Sequence, residues 1–327
     1  VRADLARAAE LVPTLLPALQ TTWAEAWTWR VLETDWTETQ LAVLGLGPGA
    51  RNLGAVAKLA RSPGAAASLR RQADVLEHLL GLPGAAGLQP LLPVPFVRGD
   101  VLGHTYLVER ALPGRVMLAL MSQPVARARA CSAALEAIHL LHRETARQVT
   151  VDDAHLAQWV LRPLDALETS IGLDEPLARL GQELRRAVYG RSLRVSWVHG
   201  DFWPGNVLVS PDGSTLTGIV DWDLAAPDEL PMHDMLNMLL SVQSWTEGRE
   251  LGELVRAHLE DLSDGHGPDG RQASDLVWAW LGDDLSERTC LLLYWLRFVT
   301  THLSNCPWRA RDRRWLATNV RSVLGLV

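Results

Sequence analysis

The sequence predicts an α+β chain of two lobes, a small β-rich N-terminal lobe followed by a larger, mostly helical C-terminal lobe. Three observations carry this. Strand-like stretches separated by turn residues crowd the segment up to Arg110. Leu112-Pro113-Gly114 breaks that pattern, and helical periodicity dominates beyond it. Short strands then return only around residues 195–220. A chain of 327 residues is long enough for such a division. The expected boundaries are 1–108 for the first lobe, 109–116 for a hinge and 117–327 for the helical lobe.

The elements follow in order. Residues 2–20 carry a helical stripe of Leu5, Ala8, Ala9 and Val12. Strands are expected at Arg30–Glu33 and Thr39–Leu46, and a turn at Gly47–Gly54, GPGARNLG. The strand AVAKLA, Ala55–Ala60, places Lys58 among apolar neighbours. Ser62-Pro63 reads as a helix start, a capping hydroxyl followed by proline at the first helical position, and the helix should end near Gly81. Strands at Val94–Val97 and Thr105–Arg110 flank an expected turn at Arg98-Gly99-Asp100. Helices are expected over Val125–His142, near His155–Thr169, over Pro176–Tyr189 and through most of the chain from Met232 onward. Short strands are expected at Val195–Val198, Val207–Val209 and Gly218–Val220.

Composition excludes several classes. The net charge is −7, which argues against a general nucleic-acid binder. Hydrophobic residues make up 48% and charged residues 21%, so the chain is globular and not disordered. No long uninterrupted apolar run is present, so no spanning helix and no membrane partner are expected. The first residues, VRADLARAAELV, do not read as a signal peptide. Cys131, Cys290 and Cys306 form neither a metal-type pair nor a disulfide framework, and a reducing cytoplasm is the simplest setting. Most of the 14 tryptophans should pack in the core and cleft.

The informative stretch is WVHGDFWPGNVLVSPDGSTLTGIVDWD, Trp197–Asp223. A strand enters, the loop Gly200–Gly205 turns, a second strand leaves, Pro211-Asp212-Gly213 reverses it, and Ile219-Val220 returns to deliver Asp221. Such a hairpin brings Asn206 and Asp221 together, with Asp201 on the adjoining loop. A carboxylate and an amide oxygen suit Mg²⁺, which takes a few protein oxygens together with substrate phosphates. A further carboxylate can orient a hydroxyl and accept its proton, completing the set that phosphoryl transfer requires.

His199-Gly200-Asp201, four residues, Asn206, and Asp221 after a hairpin resemble the aminoglycoside phosphotransferase and choline kinase superfamily. Four fixed positions, H-G-D-x₄-N, arise by chance in a chain of this length on the order of a few times per thousand. The resemblance spans about residues 30–320 and is sharp over 197–234. It implies a protein-kinase-like fold and Mg²⁺-dependent transfer of the γ-phosphate of ATP or GTP to a hydroxyl of a small molecule, aminoglycoside-, amino alcohol- or sugar-like. By the same resemblance Asp201 is the catalytic base, and Asn206 and Asp221 hold the metal. His199 braces the loop, Asp234 in LPMHDMLNML has a supporting structural role, and Asp223 either caps a helix, stands behind the metal ligands or binds the metal itself. Lys58 would contact the nucleotide phosphates. At the hinge, TYLVERALPG, the carbonyl of Glu109 and the N–H of Ala111 would bond the nucleotide base.

Two departures stand against the pattern. The family usually pairs its strand lysine with a glutamate on the next helix, and that place is Gln72, which can accept a hydrogen bond but carries no charge. Glu77 lies about 140° further round the helix and cannot substitute. The glycine-rich segment is too close to Lys58 to be a phosphate loop, given the rise of a strand. That loop would be Thr34–Glu38, which has no glycine and carries Asp35 and Glu38. These departures keep open a pseudokinase that binds nucleotide or a partner without transfer; a kinase acting on Ser or Thr of a peptide is a further alternative. Between Asp221 and Asp234 there is no room for a long phosphorylation-controlled loop. Residues 249–288 hold ten acidic and four basic residues, a wall that could attract a cationic acceptor or simply face solvent.

Overall fold

In the computed structural model, which describes residues 29–30, 41–47, 53–101, 103–172, 174–263 and 284–327, the alternation of apolar residues before Arg110 builds one antiparallel sheet. The helix expected over 2–20, the loop Thr34–Glu38 and most of the Gly47–Gly54 turn lie outside the described residues. The chain forms two compact units. One holds the described residues up to Met117 together with Asn206–Ala226, the other Leu118–Gly205 and the described residues from Pro227 onward.

The sheet of the first unit has the order β1-β2-β3-β5-β4, built from β1 (Trp29–Arg30), β2 (Leu41–Leu46), β3 (Ala55–Ala60), β4 (Pro95–Val101) and β5 (His104–Arg110). The two-residue period sorts its side chains. Leu44, Leu46, Ala57, Leu59, Tyr106 and Val108 form one apolar face. Leu41, Ala60 and Leu107 on the other face pack against Ala65, Leu69 and Ala73 of helix α1 (Pro63–Gly81). That helix begins as its sequence dictates: Ser62 Oγ accepts the Ala65 N–H at 3.2 Å and Pro63 opens the first turn. Arg98-Gly99-Asp100, expected as a turn, instead continues β4, and the reversal falls at Gly103 with φ +81°. Gly99 pairs with Tyr106, and a Cβ there would stand 3.1 Å from the Tyr106 hydroxyl and 3.2–3.3 Å from its ring, so this glycine serves a cross-strand aromatic and not a bend.

The same unit carries a second sheet of order β10-β9-β6, from β6 (Arg115–Val116), β9 (Val207–Val209) and β10 (Leu216–Ile219). Its tight point is Gly114, at φ +105°, where a Cβ would collide with Thr217 Oγ1 and stand 2.7 Å from the Val209 carbonyl oxygen. Alanine there combines a left-handed backbone with overpacking against main chain. Gly114→Ala should cost at least about 2 kcal/mol in urea unfolding, and a loss below about 0.5 kcal/mol would contradict the close approach.

The second unit is mainly helical, with α2 (Pro124–Glu144), α3 (Arg162–Ile171), α4 (Asp174–Val188), α5 (Met232–Glu247), α6 (Leu251–Ser263) and α7 (Glu287–Asn305). A small sheet of order β11-β8-β7 accompanies them, from β7 (Arg147–Thr150), β8 (Ser192–Val198) and β11 (Ala226–Glu229). Its core gathers apolar residues of these helices around Trp295 and Trp159. Trp295 Nε1 donates to the Asn319 carbonyl at 2.7 Å. Trp222, in the first unit, and Trp315 are also buried, whereas Trp245 and Trp308 are exposed. The three cysteines are buried. Burial pushes the thiol of Cys131 up to about 11 and that of Cys290 up to about 12, which removes them from thiolate chemistry at neutral pH. Among the described residues no helix is long and apolar enough to cross a membrane.

Candidate active site

In the first unit the register of β3 and β5 decides what Lys58 meets. Val56 lies opposite Glu109 and Lys58 opposite Leu107, so the lysine and the glutamate share the α1 face as a diagonal pair. Lys58 Nζ stands 3.1 Å from Glu109 Oε1 and donates to Gln72 Oε1 at 3.3 Å and to Asp221 Oδ1 at 2.5 Å. Gln72 Nε2 in turn donates to Glu109 Oε2 at 2.7 Å. Lys58, Gln72 and Glu109 are all buried. Burial alone would lower the lysine's pKa, but the charges of Asp221 and then Glu109 outweigh it, and the ammonium is held above the ordinary lysine range.

The sequence placed Glu109 at this site through its carbonyl; the structure brings its carboxylate to the lysine. The signal was present in the sequence, because Thr105, Leu107 and Glu109 alternate onto the face that carries Lys58. The N–H of Ala111 is bonded to the Gly54 carbonyl at 3.0 Å, so a nucleotide base could take it only by exchange.

Asp221 and Asn206 sit at the open end of the β9–β10 hairpin. Val207 pairs with Ile219, and the Val220 N–H donates to the Asn206 carbonyl at 2.9 Å. Asp221 adopts a left-handed conformation, φ 64°, which aspartate tolerates better than most residues and which marks a functional position when the surroundings enforce it. Asp223, in the turn that follows, accepts the Ser68 hydroxyl at 2.6 Å and so ties this segment to α1. The hairpin mouth thus carries one amide and one carboxylate residue, types whose hard oxygens suit Mg²⁺. No group of three His, Cys, Asp or Glu side chains able to hold a metal forms among the described residues. An ion here would therefore complete its shell with water and phosphate oxygens, as Mg²⁺ does.

In the second unit the loop after β8 is anchored by one buried carboxylate. Asp234, on the first turn of α5, accepts the N–H of His199 at 2.7 Å, the N–H of Gly200 at 2.8 Å and a hydrogen bond with His142 Nε2 at 3.0 Å. Burial would raise the Asp234 pKa, but the His142 hydrogen bond and charge, with the His199 N–H, hold it below the usual carboxylate range. His199 is fully buried, and its Nδ1 accepts the Asp201 N–H at 3.2 Å. Gly200 has φ +83°, so the chain turns there in a conformation glycine adopts freely. The role of His142 as the Asp234 partner was not legible in the sequence, because the two lie 92 residues apart.

Asp201 opens on a concave surface lined by Asn237, Tyr294, Arg297 and Phe298, none of them singled out by the sequence. The Tyr294 hydroxyl donates to Asn237 Oδ1 at 2.9 Å. Burial, and then the negative charge of Asp201, push the phenol well above its ordinary range, so it remains a neutral donor. His233, on the same surface, is kept neutral at pH 7 by burial and then by Arg297.

The model of the phosphotransferase enzyme family matches residues 28–273. Among solved structures the chain is similar to an aminoglycoside-3'-phosphotransferase of type VIII, with 22% identity, a TM-score of 0.54, and coverage of 87% of this chain and 97% of that one. It is also similar to the aminoglycoside phosphotransferase APH(3'')-Id from Streptomyces rimosus, with 16% identity, a TM-score of 0.52, and coverage of 88% and 98%. A macrolide 2'-phosphotransferase type I gives 18% identity, a TM-score of 0.50, and coverage of 95% and 96%. Likeness at these identities speaks for the shared two-lobed, kinase-like α+β fold. No curated protein sequence matches the chain.

Proposed function

The chain belongs to the phosphotransferase enzyme family, and we propose that it transfers the γ-phosphate of ATP or GTP to a hydroxyl of a small molecule. The observation that carries this reading is the meeting of Lys58 with Asp221, 163 residues apart in sequence, at the mouth of the hairpin that also bears Asn206. A buried cation beside a pair of hard oxygen donors is what a phosphate chain and its metal require.

Lys58 would bind the phosphates of the donor nucleotide. Asn206 and Asp221 would hold Mg²⁺, which when bound supplies positive charge against the phosphate oxygens and steadies the leaving group. Asp201 would orient the acceptor hydroxyl and take its proton as the O–P bond forms and the bond to the nucleoside diphosphate breaks. Asp234 acts on that loop without touching the reacting atoms, by holding the N–H groups of His199 and Gly200. Around Asp201 the amide of Asn237 and the phenol of Tyr294 offer hydrogen bonds to a polyhydroxyl acceptor, and Phe298 offers an apolar face. Aminoglycoside-, amino alcohol- and sugar-like alcohols all meet these demands.

The test is a thermal-shift measurement with Mg-ATP and Mg-GTP. Nucleotide at 100 times its dissociation constant should stabilise the parent by about 2.7 kcal/mol. Asp221→Ala should remove that increment, read as the difference with and without nucleotide so that any change in basal stability cancels. An undiminished increment would take Asp221 out of the nucleotide site. Mass measurement of a phosphorylated product from an alcohol panel then separates transfer from binding alone.

A further inference from the structure

We propose that the Glu109 side chain is the counter-ion that positions Lys58 for the donor phosphates, so that this charge resides on the strand beside the lysine and not on helix α1. The proposal rests on the phosphotransferase reading above and deepens it.

An ammonium has three N–H donors, and those of Lys58 meet three acceptors: Gln72, Glu109 and Asp221. Gln72 is neutral. The Asp221 side chain is 42% exposed, and it is the one that a metal would claim. The Glu109 side chain is 3% exposed, so it alone of the three is both charged and buried. A buried charge is tolerated where an opposite charge is held against it, and Glu109 Oε1 stands 3.1 Å from the ammonium. When Asp221 turns to a metal ion, Glu109 and Gln72 still hold two of the lysine's protons, and the third is free for a phosphate oxygen.

Gln72 belongs to the same device. Its oxygen accepts from Lys58 and its nitrogen donates to Glu109, so both ends of the amide are used. A glutamate at 72 could not donate to Glu109; two carboxylates would abut in a buried space. The glutamine is therefore the residue that a strand-borne carboxylate calls for. One consequence is that displacement of α1 would not strip Lys58 of its charge partner, because β3 and β5 are paired directly.

Three variants test this: E109Q, Q72E, and the double variant Q72E/E109Q, which moves the carboxylate back to the helix. Two readouts are needed. The first is kcat/KM for nucleotide, from nucleotide hydrolysis or a working acceptor. E109Q should lose at least tenfold, Q72E should also lose, and the double variant should return to within about threefold of the parent. A merely structural Glu109 would not be rescued in this way. Parent-level kcat/KM in E109Q, or a folded double variant no better than E109Q, would overturn the assignment. Should E109Q not fold, E109M removes the charge at similar length, and a parent-level value there overturns the assignment equally. The second readout is the stability of the parent and the three variants in urea without nucleotide. E109Q and Q72E should each lose stability and the double variant should recover it, and a double variant no more stable than E109Q overturns the pairing even if nucleotide binds. That recovery in a protein whose parent binds neither Mg-ATP nor Mg-GTP overturns the phosphotransferase reading, and the phosphate-positioning role with it, leaving only the ion pair.

Discussion

Asp201→Asn should lower phosphate transfer by about a hundred- to ten-thousand-fold, the range associated with loss of a general base, while nucleotide-dependent stabilisation should persist. The two effects separate because of where the groups lie in the chain. The residues proposed to hold nucleotide and metal are Lys58, Asn206 and Asp221, and none of them is changed. The loop itself survives, because it is held through main-chain groups. Asp234 takes the N–H groups of His199 and Gly200, and His199 takes the N–H of Asp201. Asparagine keeps that N–H and the side-chain volume and loses only the basic oxygen. Single-turnover measurement with a verified acceptor reads the chemical step directly. A second signature is independent of activity. The charge of Asp201 contributes to the raised phenol of Tyr294, although burial contributes more. Ultraviolet titration of the variant should show that phenol ionising at lower pH than in the parent, yet still above an exposed tyrosine. Transfer at the parent rate would dismiss Asp201 as the base, whatever the titration shows.

The legible parts of this chain were those where local chemistry and tertiary demand agree. AVAKLA alternates, is β-paired on both sides and carries one lysine, so both strand and candidate site could be read from six residues. Ser62-Pro63 carries a cap and a pre-set φ, and α1 begins there. The hairpin from Val207 to Asp221 was readable because its turn residues and strands are contiguous.

The parts that were missed depend on distant partners. Arg98-Gly99-Asp100 has turn composition, but its glycine answers to Tyr106 across the sheet, which no local rule anticipates. β7 and β11 are short and polar, and β11 contains proline and an aspartate at φ 60°, so neither has the alternation that marks a strand. Gln72 looked like a defect when viewed on its helix alone. With Glu109 in place it is a donor to one neighbour and an acceptor from the other. Asn237 and Tyr294 reach the surface beside Asp201 from α5 and α7, and no spacing in the sequence links them.

Asp234 is where a single substitution should cost the fold most. Its carboxylate is 99% shielded and has three partners: the N–H groups of His199 and Gly200, and His142 Nε2. Alanine would strand two main-chain donors in a buried place, each worth about 1–3 kcal/mol when unpaired. Asp234→Ala should therefore lose about 2–5 kcal/mol in urea unfolding and loosen the loop bearing Asp201, so that kcat falls together with stability. Asparagine retains one acceptor oxygen and should lose less. The pH dependence distinguishes charge from shape. The Asp234 pKa in the folded chain lies below the ordinary value of 3.8. A depressed carboxylate contributes stability that is fully present above its unfolded pKa and is lost as pH falls through the folded one. The stability gap between parent and Asp234→Asn should thus hold steady at neutral pH and begin to close as the pH drops below 3.8. A gap that stayed constant into that acid range would mean that asparagine costs only geometry, and that the charge on Asp234 does nothing for the loop.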